Sequence, residues 1–356
     1  MRFFLRLFMT FLITFTISVN LSAGGQSEAD SDSSSGSGNA GEVNVYSHRH
    51  YEIDKQLFAE FTEKTGIKVN VVNADSDELI QRLKTEGELS PADLLITADV
   101  ARLVRAQNEG LLQAIDNQTL KERIPAYLRS PNDYWFGMTK RARVIVYNTE
   151  RVDPDHLSTY EELTSEKWRN KIAIRSSANI YNQSLLASLI ANLGADQAEE
   201  WAKGIMQNMA RSPQGNDRDQ MKAVAAGQAD IAMVNTYYVG RMFNSDDPDE
   251  VEVAQQMGVF FPNQEGRGSH INISGGGVTA HAPHKANAEK LLEFLTSDSS
   301  QRLFAQANYE YPVVPGVSEA EIVKSWGEFK EDRLNLSELG KLNSQAVRIF
   351  DRAGWK

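Results

Sequence analysis

Cysteine is absent from the 356 residues of this chain. That absence removes disulfides, thiolate metal sites, iron–sulfur clusters and a cysteine nucleophile together. Any metal must then be held by oxygen or histidine. Basic runs are missing too. Lys and Arg number 37 against 48 Asp and Glu, a net charge of -11, and no positive cluster offers a footprint for nucleic acid. Long apolar runs are scarce. The one near the N-terminus, residues 7–19, is shorter than the ~20 residues that a spanning helix needs. Gly275-Gly276-Gly277 lacks the Lys-Ser/Thr of a phosphate loop and reads as a hinge or a close packing point. No Ser-His-Asp arrangement or metal-hydrolase motif is visible, which argues against an enzyme.

What is present begins with a secretory pattern. Arg2 and Arg6 precede the apolar stretch, and Leu21-Ser22-Ala23-Gly24 supplies small residues for cleavage, so residues 1–25 read as a signal peptide. Leu21-Ser22-Ala23 also resembles the start of a lipoprotein box. Gly24 stands where the lipid-bearing cysteine would be, so lipidation there is excluded. Residues 26–41, rich in Ser, Gly and Asp, are expected to form a flexible tether, which suits a domain held near a membrane.

Beyond the tether the apolar periodicity switches repeatedly between two and 3.6. Strands are expected at 42–46, 67–72 and 92–97. Helices carrying Ile53, Leu57, Phe58 and Phe61, then Leu79, Ile80 and Leu83, then Val100, Leu103 and Val104 alternate with them. This is a doubly wound α/β lobe. A long extended stretch at 135–147 reads as a crossover into a second lobe. That lobe holds helices at 160–168, 182–193, 198–209 and 218–226, with strands at 171–174 and 231–234. Residues 259–262 and 271–277 read as the return crossing. Helices at 285–296 and 299–306 then pack back on the first lobe. The expected fold class is therefore α/β and two-lobed, with two doubly wound lobes joined by hinge strands. Lobe 1 is residues 42–139 and 272–356, and the inserted lobe 2 is 140–271. A cleft between lobes is where ligands gather.

Tyr51, Tyr181, Tyr237 and Tyr238 each fall where a strand ends and a helix begins. Phenols at such turns can converge on one cleft, and a phenolate is a hard anionic ligand suited to ferric iron. A free phenol has a pKa of about 10 and ionises at neutral pH only when a cation drives its proton off. Tyr237 and Tyr238 are neighbours, so they can share one metal only in a turn or at a helix start. Asn235-Thr236 is a candidate cap for such a start. A tyrosine at a strand end is nevertheless usually a packing residue. His48 and His50 read as a polar edge, His281 and His284 as cap or solvent-facing residues, and Tyr309 and Tyr311 as packing.

The organisation resembles the periplasmic solute-binding proteins of ABC importers, and within them the ferric-ion-binding proteins of the cyanobacterial, tyrosine-rich branch. The resemblance spans residues 43–317. It rests on Val45-Tyr46-Ser47-His48-Arg49-His50-Tyr51, on Ala92-Asp93-Leu94-Leu95-Ile96-Thr97, on the stretch from Val224 through Gly227-Gln228-Ala229-Asp230-Ile231 to Tyr237-Tyr238, and on Tyr309-Glu310-Tyr311-Pro312-Val313. The paired tyrosines after the Gly-Gln-Ala-Asp-Ile strand are its most specific signal.

The resemblance implies Fe3+ as transported ligand, held by Tyr51, Tyr181, Tyr237 and Tyr238. His50 matches a position that is a ligand in some members and a bystander in others. Water or a synergistic anion is an expected co-ligand. Four phenolates and Fe3+ sum to one negative charge, so Arg141 is expected behind the ligands to offset it, with Arg143 the weaker candidate. Arg175-Ser176-Ser177 is a candidate for binding an anion or water. The implied partners are an inner-membrane ABC permease and its ATPase, the implied place the periplasm, and the implied state a monomer that closes by hinge bending. Competing readings are a carrier of a polyamine, sugar or phosphonate, and an iron-handling protein inside the cell.

Overall fold

The computed structural model describes residues 41–356; the expected signal peptide and nearly all of the tether lie outside the described residues. In β1 (Glu42–Ser47) the buried Val43 and Val45 alternate with half-buried Glu42 and Asn44. The helix α1 (Glu52–Thr65) buries Ile53, Leu57, Phe58 and Phe61 on one stripe, and Gly66 stops it at φ 73°. β2 (Lys68–Asn73) pairs with β1 in parallel at the sheet edge. After α2 (Ser76–Glu86) comes β3 (Leu94–Thr97), parallel to β1 and buried at all four positions. A continuous apolar strand is what a sheet covered on both faces requires. Two helices follow, α3 (Val100–Asn108) and α4 (Gln118–Arg123).

The seam of the molecule is β4 (Phe136–Asn148). Next in the chain are β5 (Ile172–Ala173), α5 (Ile180–Leu193), α6 (Ala195–Asn208), α7 (Asp217–Ala225), β6 (Ile231–Asn235), α8 (Thr236–Phe243), α9 (Pro248–Gln255), β7 (Met257–Phe260) and β8 (Ile271–Val278). The chain ends with α10 (Lys285–Leu295), α11 (Asp298–Asn308), β9 (Tyr311–Pro312), α12 (Glu321–Lys324) and α13 (Ser337–Ala353). Strand order is β2-β1-β3-β8-β4-β6-β5, with β7 and β9 also on β4. The first half of β4 pairs antiparallel with β8, and Arg143 onward pairs with β6 and β7. One strand thus belongs to both halves of the sheet. The glycine run lies in β8, where a Cβ on Gly275 would come within 2.6 Å of the Phe136 carbonyl oxygen, so close backbone approach requires glycine there.

Two departures from the sequence expectation have physical causes. The helix expected at 160–168 is two 3-10 turns, Glu161–Thr164 and Glu166–Trp168, separated by extended Ser165. Tyr160 is pinned at the start of this segment. Its hydroxyl donates to the Arg143 carbonyl and accepts the His270 amide, so tertiary contacts override local propensity. The amphipathic helix α13 lies outside the expected elements. It buries Leu339, Ala346, Ile349 and Phe350 and packs on α5, α6 and α3, bridging both halves of the sheet.

Candidate metal site

Each of the four tyrosines sits at the start of a helix. Tyr51 is the extended residue before α1, and the Asp54 carboxylate accepts its backbone N–H at 3.2 Å. Tyr181 is in the first turn of α5, where the Asn179 side chain accepts its backbone N–H at 3.2 Å. Tyr237 and Tyr238 open α8, as two neighbours sharing one site require. Asn235 occupies the cap position by backbone conformation, but its side chain makes no cap bond. Its amide oxygen accepts from Arg143 instead, at 3.2 Å, while the Thr236 hydroxyl accepts the Ala142 N–H.

These starts bring the phenols together. The Tyr181 and Tyr237 oxygens are 3.2 Å apart. The Tyr237 and Tyr238 rings lie 4.2 Å apart, and Tyr51 meets Tyr237 edge-on at 6.5 Å. Burial pushes the Tyr51 phenol up to about 12, with Tyr181 and Glu310 adding to the rise and Arg49 opposing it. Burial likewise raises Tyr181 and Tyr237, and neighbouring phenols raise them further. Tyr238 is raised by burial and then by Asp217. All four are neutral at pH 7, and a cation must supply the energy to ionise them.

Guanidinium groups surround the cluster. Arg141 is buried, lies 5.4 Å from the Tyr181 ring centroid, donates to the Ala98 carbonyl and faces Asp99 at 3.6 Å. Arg175 approaches Tyr181 at 5.6 Å, and Arg241 approaches Tyr51 at 5.0 Å. Arg143 points elsewhere. It binds Asp217 at 2.8 Å, Asn182 at 3.0 Å and Asn235, and so joins the segments that carry the other tyrosines. Beneath Tyr51, buried Arg49 holds Glu310 through two bonds of 3.0 Å and also binds Asp54. The Arg49–Glu310 pair and the Arg143–Asp217 pair are invisible to spacing arguments because the partners are far apart in sequence.

His50 is exposed at the rim. It stacks beside Tyr51 at 5.5 Å, and its Nδ1 faces the His48 carbonyl at 3.4 Å. Arg175-Ser176-Ser177 has protein partners: Asp217 at 3.5 Å for Arg175, the Ala178 N–H for the Ser176 hydroxyl, and the Lys356 carbonyl for the Ser177 amide. His284 leads into α10 with its ring 3.1 Å from Asp93. Tyr309 covers Gly240 of α8 in a left-handed conformation, φ 57°, and buried Tyr311 packs on Phe329.

A cavity of about 380 Å3 opens beside the phenols, walled by His48, His50, Tyr51, Tyr181, Tyr238, Arg218 and Arg241 among others, with no acid in its wall. No group of three or more His, Cys, Asp and Glu able to hold a metal occurs among the described residues. The cavity wall carries the phenols of Tyr51, Tyr181 and Tyr238 and the imidazoles of His48 and His50.

Residues 56–331 match the bacterial extracellular solute-binding proteins. The chain belongs to that family. It is 50% identical over 354 residues to iron uptake protein A1 of Synechocystis sp., covering 99% of this chain and 98% of the relative. It is 44% identical over 316 residues to iron uptake protein A2 of the same organism, covering 88% and 90%. Among solved structures, a Trichodesmium protein (IdiA, FutA) in complex with iron and citrate ligands superposes with a TM-score of 0.86 at 54% identity, covering 88% of this chain and 100% of that one. The two-lobed α/β fold of this solute-binding family is therefore the fold of this chain. Among the described residues no helix is long and apolar enough to cross a membrane.

Proposed function

We propose that this solute-binding protein carries ferric iron to an ABC importer. The observation that carries the reading is the convergence of four phenols, two with oxygens 3.2 Å apart, in a cleft without carboxylates. Tyr51, Tyr181, Tyr237 and Tyr238 are the ligands in this reading, and His50 at the rim is the candidate for a further donor. Arg141 offsets the negative charge of the loaded site. Water or an anion completes the coordination, and the cationic wall of the cleft suits an anion such as the citrate of the Trichodesmium complex. The same wall disfavours a polyamine, whose ammonium groups need acids to bind.

The protein acts as a carrier without a catalytic step. It works in the periplasm as a monomer, reaches it by a cleaved signal peptide, and hands iron to an inner-membrane permease driven by an ATPase. Lobe 1 comprises residues 42–139 and 272–356 and lobe 2 residues 140–271, with α13 as a bridge between them. Hinge bending closes the lobes when ligands from both sides meet the metal. The test is the visible spectrum of the mature protein with ferric iron. A broad band that weakens in Tyr238→Phe is expected. A colourless protein that closes on another solute overturns the metal assignment.

A further inference from the structure

Asp99 gathers partners from four elements. It caps α3, where its carboxylate accepts the Ala101 N–H at 2.9 Å. The same carboxylate accepts the Asn272 amide of β8 at 2.9 Å and faces Arg141 of β4 at 3.6 Å. The fourth partner comes from α5. It is the Ser184 hydroxyl, 3.1 and 3.0 Å from the two carboxylate oxygens. Asp99 is 1% exposed and Ser184 0%. A serine inside a helix ordinarily bonds back to the carbonyl four residues before it or faces water. Ser184 turns instead to a carboxylate 85 residues away. Capping α3 needs only the Ala101 N–H, so the bond to Ser184 adds nothing to that helix.

In the proposed lobe division Asp99 belongs to lobe 1 and α5 to lobe 2. Ser184 lies three residues after Tyr181, so the two side chains neighbour each other on one face of α5. Tyr51, the phenol of lobe 1, meets Tyr237 of lobe 2 edge-on at 6.5 Å. Moving α5 away from α3 breaks the Asp99–Ser184 bond and carries Tyr181 away from Tyr51. We propose that Asp99 is a positioning residue for the phenol site: through Ser184 it holds α5, and with it Tyr181, in the closed arrangement before iron arrives. The purpose of the latch rests on the ferric reading, but the bond acts on closure itself and is tested without iron. A hydrogen bond to a charged acceptor outweighs one between neutral groups, so its loss should shift closure on the order of tenfold.

The chain has no cysteine, so Glu63→Cys and Asp246→Cys put one spin label on each lobe at exposed positions. Pulsed electron paramagnetic resonance of the iron-free, doubly labelled chain is expected to show a short, closed distance component. Ser184→Ala removes only the hydroxyl and should lower the closed-to-open ratio on the order of tenfold. Ser130→Ala is the control, because that buried hydroxyl donates to Gln107 within lobe 1 at 3.3 Å. Its distribution should match the wild type. With ferric iron, saturated Ser184→Ala should keep the wild-type visible band while its apparent affinity falls with the closed fraction. An iron-free distribution that Ser184→Ala leaves unchanged overturns the latch, as does a wild type without a closed component. Unchanged affinity despite a lowered closed fraction overturns the positioning role. A wild type without the visible band overturns the ferric reading instead, and the distance test still decides the latch. Should Ser184→Ala fail to fold, Asp99→Asn, which keeps the shape and removes the charge of the acceptor, decides by the same ratio.

Discussion

The phenol oxygens of Tyr181 and Tyr237 stand 3.2 Å apart although 56 residues separate them in the chain. Two phenolates at that distance repel, and burial raises both groups further. Ionisation is therefore coupled to the arrival of a cation. With the four phenols as ligands, as proposed, the loaded site holds fewer protons than the free one, so raising the pH is expected to favour loading and acid to favour release. Apparent iron affinity should rise about tenfold per pH unit for every phenol proton displaced. Titration against a chelator of known pH dependence measures this. An affinity independent of pH contradicts phenolate ligation.

Tyr181→Phe keeps the ring beside Arg141 and removes one oxygen. Loss of a residue that merely supports a metal ligand typically costs ~10–100-fold in affinity. A ligand should cost more, and the visible absorbance of the iron complex should fall with it. Tyr127→Phe is the control, because Tyr127 donates to Glu331 away from the cleft. Its iron titration and colour should match the wild type. Equal behaviour of the two variants removes Tyr181 from the ligand set.

Much of this was legible because the period of the apolar pattern is local. The alternation in β1, the stripe on α1 and the continuous run in β3 each follow from a few neighbouring side chains. The placement of Tyr237 and Tyr238 at a helix start followed from geometry, since neighbours on a strand face apart. Asp217 and Glu310 were not legible. Each looks like an ordinary surface acid until the fold buries it beside Arg143 or Arg49. The segment after Tyr160 misled for the opposite reason: helical periodicity is present, but two long-range bonds to the Tyr160 hydroxyl hold the chain in 3-10 turns.

Arg49 is the sole cation within ion-pair distance of Asp54 and Glu310 among the described residues, all three being buried. Arg49→Met leaves two carboxylates uncompensated, and breaking a buried pair from one side costs ~3–5 kcal/mol. Urea unfolding should show a loss of that size. Burial alone would raise Glu310, but the Arg49 charge and hydrogen bonds from Arg49, Asn308 and Thr139 outweigh it and hold the carboxyl below its ordinary value. Its contribution is complete above the ordinary Glu range and fades as pH falls through the lowered folded value. Comparing wild type with Glu310→Gln across acid pH isolates that contribution. The stability difference between them should shrink as the pH drops.

Gly340 lies on α13 against Val104 of α3. In a helix interior, Gly→Ala ordinarily stabilises by ~1 kcal/mol. Here the new Cβ would come within 2.3 Å of Val104 Cβ and 2.5 Å of its Cγ1. Val104 is buried at 3% exposure, and a β-branched side chain on a helix has essentially one rotamer, so it cannot swing away. Overpacking of this kind costs ~1–3 kcal/mol, which outweighs the gain in propensity. Gly340→Ala should therefore lower the urea midpoint with an unchanged slope. α13 also packs on α5, whose first turn carries Tyr181, so displacing it should weaken iron binding in the same variant. A stabilised Gly340→Ala would mean that α3 and α13 stand further apart in solution, and that the bridge between the two halves of the sheet is loose.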